Sequence, residues 1–156
     1  MTYGFVGKVI SATVIRPCVA GDLDPILCIE KESFAYPYNP SVFRHYFNSS
    51  HAKIFVAEVQ GGVAGYVITE VRPSGKGVVV SIAVDSKHRR KGFGSLLLLK
   101  ALETLRRDVK EVELQVGVSN EAAQRFYLKH GFGIEGILNH YYPNGEDAYV
   151  MRLRFG

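Results

Sequence analysis

The segment Lys87-His88-Arg89-Arg90-Lys91-Gly92-Phe93-Gly94-Ser95 gathers a run of basic side chains and two glycines into nine residues. It follows a β-branched run at 78–84 and opens a strong helical pattern, so it reads as a strand-to-helix turn. At a helix start several backbone N–H groups have no intrahelical acceptor, and the positive end of the helix dipole lies there. The two together favour an anion. Gly92 and Gly94 would let the backbone approach a pyrophosphate with no Cβ in the way, and the neighbouring cations would add charge-assisted contacts. The nucleotide P-loop pattern, Gly-x4-Gly-Lys-Ser/Thr, is absent, and Leu97 stands where a dinucleotide fingerprint needs its third glycine. Taken alone the turn specifies an anion. The alternative is a glycine-rich helix start beside a solvated basic face.

Groups that could move protons lie further along. Tyr127 falls on a helical pattern at 120–130, where the pattern alone reads it as a core aromatic. Glu113 and Gln115 share one side of a strand at 111–116. Glutamine cannot take a proton at neutral pH and can only orient a water. Tyr141 and Tyr142 sit in a loop, where aromatic side chains serve binding more often than packing. His88 reads as part of the basic turn, and His130 as the residue before a helix-ending Gly131. Cys18 and Cys28 show neither a disulfide framework nor zinc spacing, and no metal site is expected; both are read as small core residues.

The elements that would hold these groups follow from periodicity. A first strand spans 9–16 and stops at Pro17. A helix capped by Asp22 carries Leu23, Ile26, Leu27, Ile29 and Glu30 on its stripe and fades near Phe34, before Pro37. A short helix after Pro40 buries Val42, Phe43, Tyr46 and Phe47. Three strands follow, at 54–59, 63–71 and 77–84, the first two joined by a hairpin signal at Gly61-Gly62. A helix over 95–107 presents Leu97, Leu98, Ala101, Leu102 and Leu105. Next come a strand at 111–116, the helix at 120–130, a strand at 133–138 and a last strand at 148–155. The class is α+β, with a mixed sheet of about seven strands and about four helices in a single domain.

Composition agrees. The chain has 156 residues, 47% apolar and 22% charged, enough for a packed core. Its formal charge of +4, from 19 basic and 15 acidic residues, is too mild to establish a nucleic-acid surface and suits an anionic small molecule. No run approaches the roughly 18 apolar residues of a membrane helix, and Met1–Gly7 lacks the basic and long apolar regions expected of a signal peptide. A cytoplasmic location is expected.

With those features in hand, Arg89-x-x-Gly92-x-Gly94 after Ile82-Ala83-Val84 resembles the acetyl-coenzyme A motif of the GNAT acetyltransferases. Asn120-x-x-Ala123-x-x-Phe126-Tyr127, followed by Gly131-Phe132, is similar to that family's second motif. The ending Tyr141-Tyr142-Pro143-Asn144-Gly145-Glu146-Asp147-Ala148-Tyr149 resembles those of the ribosomal-protein alanine acetyltransferases and the Ard1-type N-terminal acetyltransferases. The first helix, with Phe34 and Pro37, matches theirs. The likeness begins near Ile15, and residues 1–10 are read as a flexible extension.

The resemblance implies a three-layer, mostly antiparallel fold, acetyl-CoA as cofactor, and protein or peptide N-termini as acceptors, with an auxiliary subunit or a homodimer as the partner arrangement. It implies that Ile82, Ala83 and Val84 hold the pantetheine and acetyl carbonyl through their backbone. Arg89, Arg90, Lys91, Gly92, Phe93, Gly94 and Ser95 would wrap the pyrophosphate, and Asn120 and Ala123 would border the cofactor arm. Tyr127 would protonate the leaving thiolate, while Phe34, Pro37, Tyr38, Tyr141 and Tyr142 would wall the acceptor groove.

Acetyl transfer needs a neutral amine. Near pH 7 roughly a tenth of α-amines, with pKa about 7.7–8.0, are neutral, against a few in ten thousand lysines. The gap is about 3.3–3.7 kcal/mol of deprotonation, so an α-amine tolerates a weak or water-relayed base. That matters because Gln115 stands where relatives often carry Glu or His. Glu113, Glu32, Glu70 and His140 remain as candidate bases, directly or through water. A small-amine or lysine acetyltransferase, a non-catalytic acyl-CoA-binding module and a nucleic-acid binder using the 87–91 cluster are the competing readings.

Overall fold

The computed structural model describes residues 13–156, so the expected extension and the start of the first strand lie outside the described residues. The strands are β1 (Thr13–Pro17), β2 (Ala52–Val59), β3 (Gly62–Val71), β4 (Gly77–Val84), β5 (Glu111–Gly117), β6 (Gly133–Leu138) and β7 (Ala148–Arg154). The helices are α1 (Leu23–Ser33), α2 (Pro40–Asn48), α3 (Phe93–Leu105) and α4 (Glu121–Lys129). The strands form one sheet in the order β1-β2-β3-β4-β5-β7-β6, and every neighbouring pair is antiparallel except β4 and β5.

Strand alternation sends side chains to two cores. Phe55, Ala57 and Val67 meet Leu97, Leu98, Ala101 and Leu105 of α3 on one face. Ile54, Val56, Tyr66 and Ile68 meet Ile26 and Ile29 of α1 and Phe43 of α2 on the other. Helices on both faces give the three layers. Among the described residues, no helix is long and apolar enough to cross a membrane.

Three local readings change. The β2–β3 turn is centred on Gln60-Gly61, which have φ of 51° and 81°, and Gly62 already belongs to β3. Positive φ at both central residues is what a tight two-residue hairpin turn needs. Asp22 occupies the start of α1, but its carboxylate accepts from Val19 N–H at 2.8 Å and pairs with Arg16 at 2.7 Å instead of capping that helix. Cys28 is exposed, because it lies between the buried positions 26 and 29 on the outer side of α1. Cys18 is half-buried, and burial pushes its thiol up to about 11.

Two irregularities shape the centre. β4 and β5 pair only at Gly77↔Val112 and Val78↔Glu113, and beyond these the strands part. In β4, Ile68↔Ser81 is followed by Thr69↔Val79, so Val80 is an extra residue, a β-bulge. The bulge breaks the alternation: Val80 packs on the α1 core and the adjacent Ser81 also turns toward α1.

Candidate active site

Where β4 and β5 part, the sheet opens into a cavity of about 680 Å³, inside the usual size range of ligand sites. Residues 79–84 form one side and residues 114–117 the other. Asn120, Ala123, Phe126 and Tyr127 of α4 close one end, and Phe34, Tyr36, Tyr38, Tyr141 and Tyr142 ring the mouth. Ile82, Ala83, Val84, Arg89, Gly94 and Gln115 therefore meet in one cavity.

At the α3 start, Gly92 is the N-cap with φ of 88° and no side-chain cap, and Leu96 N–H makes the first bond, to Gly92 O. The N–H groups of Phe93, Gly94 and Ser95 have no acceptor among the described residues, which leaves the donor set an anion needs. Arg90, with φ of 63°, and Lys91 are exposed beside it and form no ion pair among the described residues. Arg90, Lys91, Gly92, Phe93 and Ser95 lie outside the cavity wall, beyond Gly94 at its edge. Arg89 lines the cavity; its Nε donates to Val84 O at 2.9 Å and its Nη2 to Ser33 Oγ at 3.1 Å, so its guanidinium also ties α1 to the turn.

Asn120 caps α4 by accepting from Ala123 N–H at 3.1 Å, which leaves its amide N–H groups for the cavity. The end of α4 is fixed by a Schellman pair, Phe132 N–H to Tyr127 O and Gly131 N–H to Leu128 O, with Gly131 at φ of 97°. His130 donates from Nδ1 to Phe126 O at 2.8 Å, a structural contact. This termination seats Tyr127 between Phe126 and Phe132, 9% exposed, with its hydroxyl unpartnered among the described residues. Burial, and then Tyr142, push its phenol above the ordinary range, so it holds its proton until a strong base forms nearby.

The carboxylates named from sequence do not enter the wall. Glu113 sits on the sheet between Arg152 at 2.5 Å and Lys76 at 3.1 Å. Burial alone would raise its pKa, but hydrogen bonds from both cations outweigh this and hold it below the usual range. Glu32 accepts from Ser86 N–H at 3.0 Å on the exposed side of α1. Glu70 pairs with Arg72 at 2.6 Å, and exposed His140 is bound to its own loop. Gln115 does face the cavity, its amide donating to Glu113 Oε2 at 3.4 Å. Pro37 lies in the mouth loop but not in the wall.

The sequence reading missed Tyr36, Ser81 and above all Glu30, the single carboxylate among the wall residues. Glu30 is 2% exposed. It accepts from Tyr38 N–H at 3.0 Å, from Ser81 Oγ at 3.1 Å and from the Tyr66 hydroxyl. Its place on an apolar stripe hid it; a charged residue at a buried helical position was the available signal. Burial pushes the Tyr38 phenol up to about 12, so the rim tyrosine stays neutral.

The loop bearing Tyr141 and Tyr142 is pinned by Glu146, which accepts from Ser119 N–H at 2.8 Å and Ser119 Oγ at 2.5 Å. This side of the cavity mouth is thereby fastened to the turn that carries Asn120.

Residues 23–132 match the sequence model of the acetyltransferase (GNAT) family. The N-alpha-acetyltransferase of Sulfurisphaera tokodaii is 37% identical over 150 residues, covering 88% of this chain and 90% of that protein. The crystal structure of the ribosomal-protein-S18-alanine N-acetyltransferase from Escherichia coli superposes with a TM-score of 0.83 at 31% identity, covering 91% of this chain and 93% of that one. That of Ard1 from Thermoplasma volcanium gives 0.85 at 28%, covering 94% and 99%. Sequence, fold and the opened β4–β5 seam agree, and the chain belongs to the GNAT acetyltransferase family.

Proposed function

We propose that this acetyltransferase moves the acetyl group of acetyl-CoA to the N-terminal α-amine of proteins or peptides, by direct attack with both substrates in the cleft. The observation that carries the reading is the cleft's two-ended form. One end leads to bare amide donors at α3, and the other opens between the rim aromatics of residues 34–38 and Tyr141-Tyr142. The α3 amides with Arg90 and Lys91 would hold the pyrophosphate. The backbone of residues 82–84, freed from pairing with β5, would hold the pantetheine and acetyl carbonyl, with Asn120 and Ala123 along the arm. Tyr127 would give its proton to the thiolate as the C–S bond breaks.

An α-amine suits this site because no carboxylate occupies position 115. A lysine would ask the enzyme for about 3.3–3.7 kcal/mol more deprotonation. The names of the relatives point to the same acceptor class. Incubation of short lysine-containing peptides with acetyl-CoA, followed by mass spectrometry, tests the reading. Acetylation is expected on the free N-terminus and should vanish when that terminus is blocked. Modification confined to internal lysine would overturn it.

A further inference from the structure

Glu30 is buried in the cleft wall without a cation. Among the described residues no Lys, Arg or His pairs with it; its donors are the Tyr38 N–H, the Ser81 hydroxyl and the Tyr66 hydroxyl, all neutral. A buried carboxylate without a countercharge is costly, and an acceptor entering the cleft as an ammonium would supply one. The groups facing it come from every surrounding element: Tyr66 on β3, Ser81 on β4, Tyr38 in the mouth loop, and across the cleft Gln115, Tyr127, Tyr141 and Tyr142. The single cation of the wall, Arg89, is held by Val84 O and Ser33.

Ser81 links this carboxylate to the place of reaction. The bulge at Val80 turns its hydroxyl to Glu30, and it directly precedes residues 82–84 on the cleft edge. Its oxygen lies 3.1 Å from both Glu30 Oε1 and the Tyr66 hydroxyl. A hydroxyl donates once and accepts twice, so Ser81 can donate to Glu30 while accepting from a substrate N–H.

We propose that Glu30, acting through the Ser81 hydroxyl, takes a proton from the α-ammonium of the acceptor; the proposal rests on the α-amine reading above. The ammonium gives a proton to Ser81 Oγ as the serine's own proton passes to Glu30 Oε1. The neutral nitrogen attacks the thioester carbonyl carbon, the C–S bond breaks, and the thiolate takes the Tyr127 proton. The second proton of the acylated nitrogen returns through water to the tyrosinate. Glu30 then releases its proton to solvent, one per acetyl group transferred.

The relay lets the enzyme use the ammonium form, which the variants Glu30→Gln and Ser81→Ala cannot. Their kcat/KM on an α-amine peptide should fall about tenfold at pH 7 and nearly a hundredfold at pH 6, and rejoin wild type by pH 9, because the α-amine pKa is about 7.7–8.0. Coenzyme A affinity by calorimetry should stay unchanged. A deficit of equal size at every pH would reduce Glu30 to an anchor for the Tyr38 loop and overturn the relay, as would profiles identical to wild type. If Glu30→Gln loses coenzyme A binding through misfolding, Ser81→Ala decides alone. Wild-type turnover absent from α-amines at every pH would sink the acceptor reading, a result distinct from failure of the relay.

Discussion

Glu30 and Glu113 are both largely buried carboxylates within reach of the same cleft, and they are solved in opposite ways. Glu113 lies between Lys76 and Arg152, inside a lattice that also holds Glu111, Glu135 and Arg154 on β5, β6 and β7. Its charge is fully answered by fixed cations, so taking a proton would break two ion pairs. Glu30 is answered by one amide and two hydroxyls, and its countercharge is left to the substrate. The difference teaches that proximity to a site is a poor guide to a base; what matters is whether the neighbours are cations or neutral donors. Gln115 marks the border, with its amide turned to Glu113 and its side chain in the cleft.

The largest effect that sharpens this contrast is on Tyr127, the proposed acid across the cleft. Tyr127→Phe should lower kcat about a hundredfold or more, with calorimetric affinity for coenzyme A within about twofold. An unchanged kcat would remove the tyrosine from proton transfer. Next, Gln115→Glu introduced into the Glu30→Gln variant should recover most of the roughly tenfold loss at pH 7, since it puts a carboxylate back on the cleft wall. No recovery in steady-state rates would argue that the β5 position cannot reach the amine.

Glu113→Gln should do the reverse of Glu30→Gln. Turnover should stay within about twofold, while stability falls by about 1–2 kcal/mol as Lys76 and Arg152 lose a partner, which lowers Tm by roughly 2–8 °C. A pH-dependent rate loss in that variant would transfer the base to Glu113. The smallest effect is acid sensitivity. In the folded chain the pKa of Glu113 lies below its ordinary 4.5, so the unfolded chain binds the proton first as pH falls. Its stabilisation is complete above about pH 5.5 and is lost as pH drops through 4.5 and below. Thermal melts should show that decline, less steeply in Glu113→Gln.

Much of this was legible in the sequence. The apolar spacing of Leu97, Leu98, Ala101, Leu102 and Leu105 placed α3, and Gly92 with Gly94 placed its open start, because helix periodicity and glycine geometry are local properties. Gly131 after His130 read correctly as a helix stop for the same reason. The β-bulge at Val80 was invisible, since an unbroken valine run gives no sign of a register shift against β3. Glu30 was placed on the buried stripe correctly, but its role was not legible, because a stripe tells which side is buried and not which hydroxyls, 36 and 51 residues away, will meet it there. Arg89 reads in the sequence only as a basic residue of the turn; the fold alone brings Ser33 within 3.1 Å of its guanidinium.

A crystal structure with a conjugate joining coenzyme A, through an acetyl bridge, to the N-terminus of a short peptide bears most directly on the cleft. The pyrophosphate should lie against the N–H groups of residues 93–95, and the peptide nitrogen within hydrogen-bond reach, about 2.7–3.2 Å, of Ser81 Oγ. A peptide nitrogen seated beside Glu113, or a diphosphate held away from the start of α3, would contradict the account.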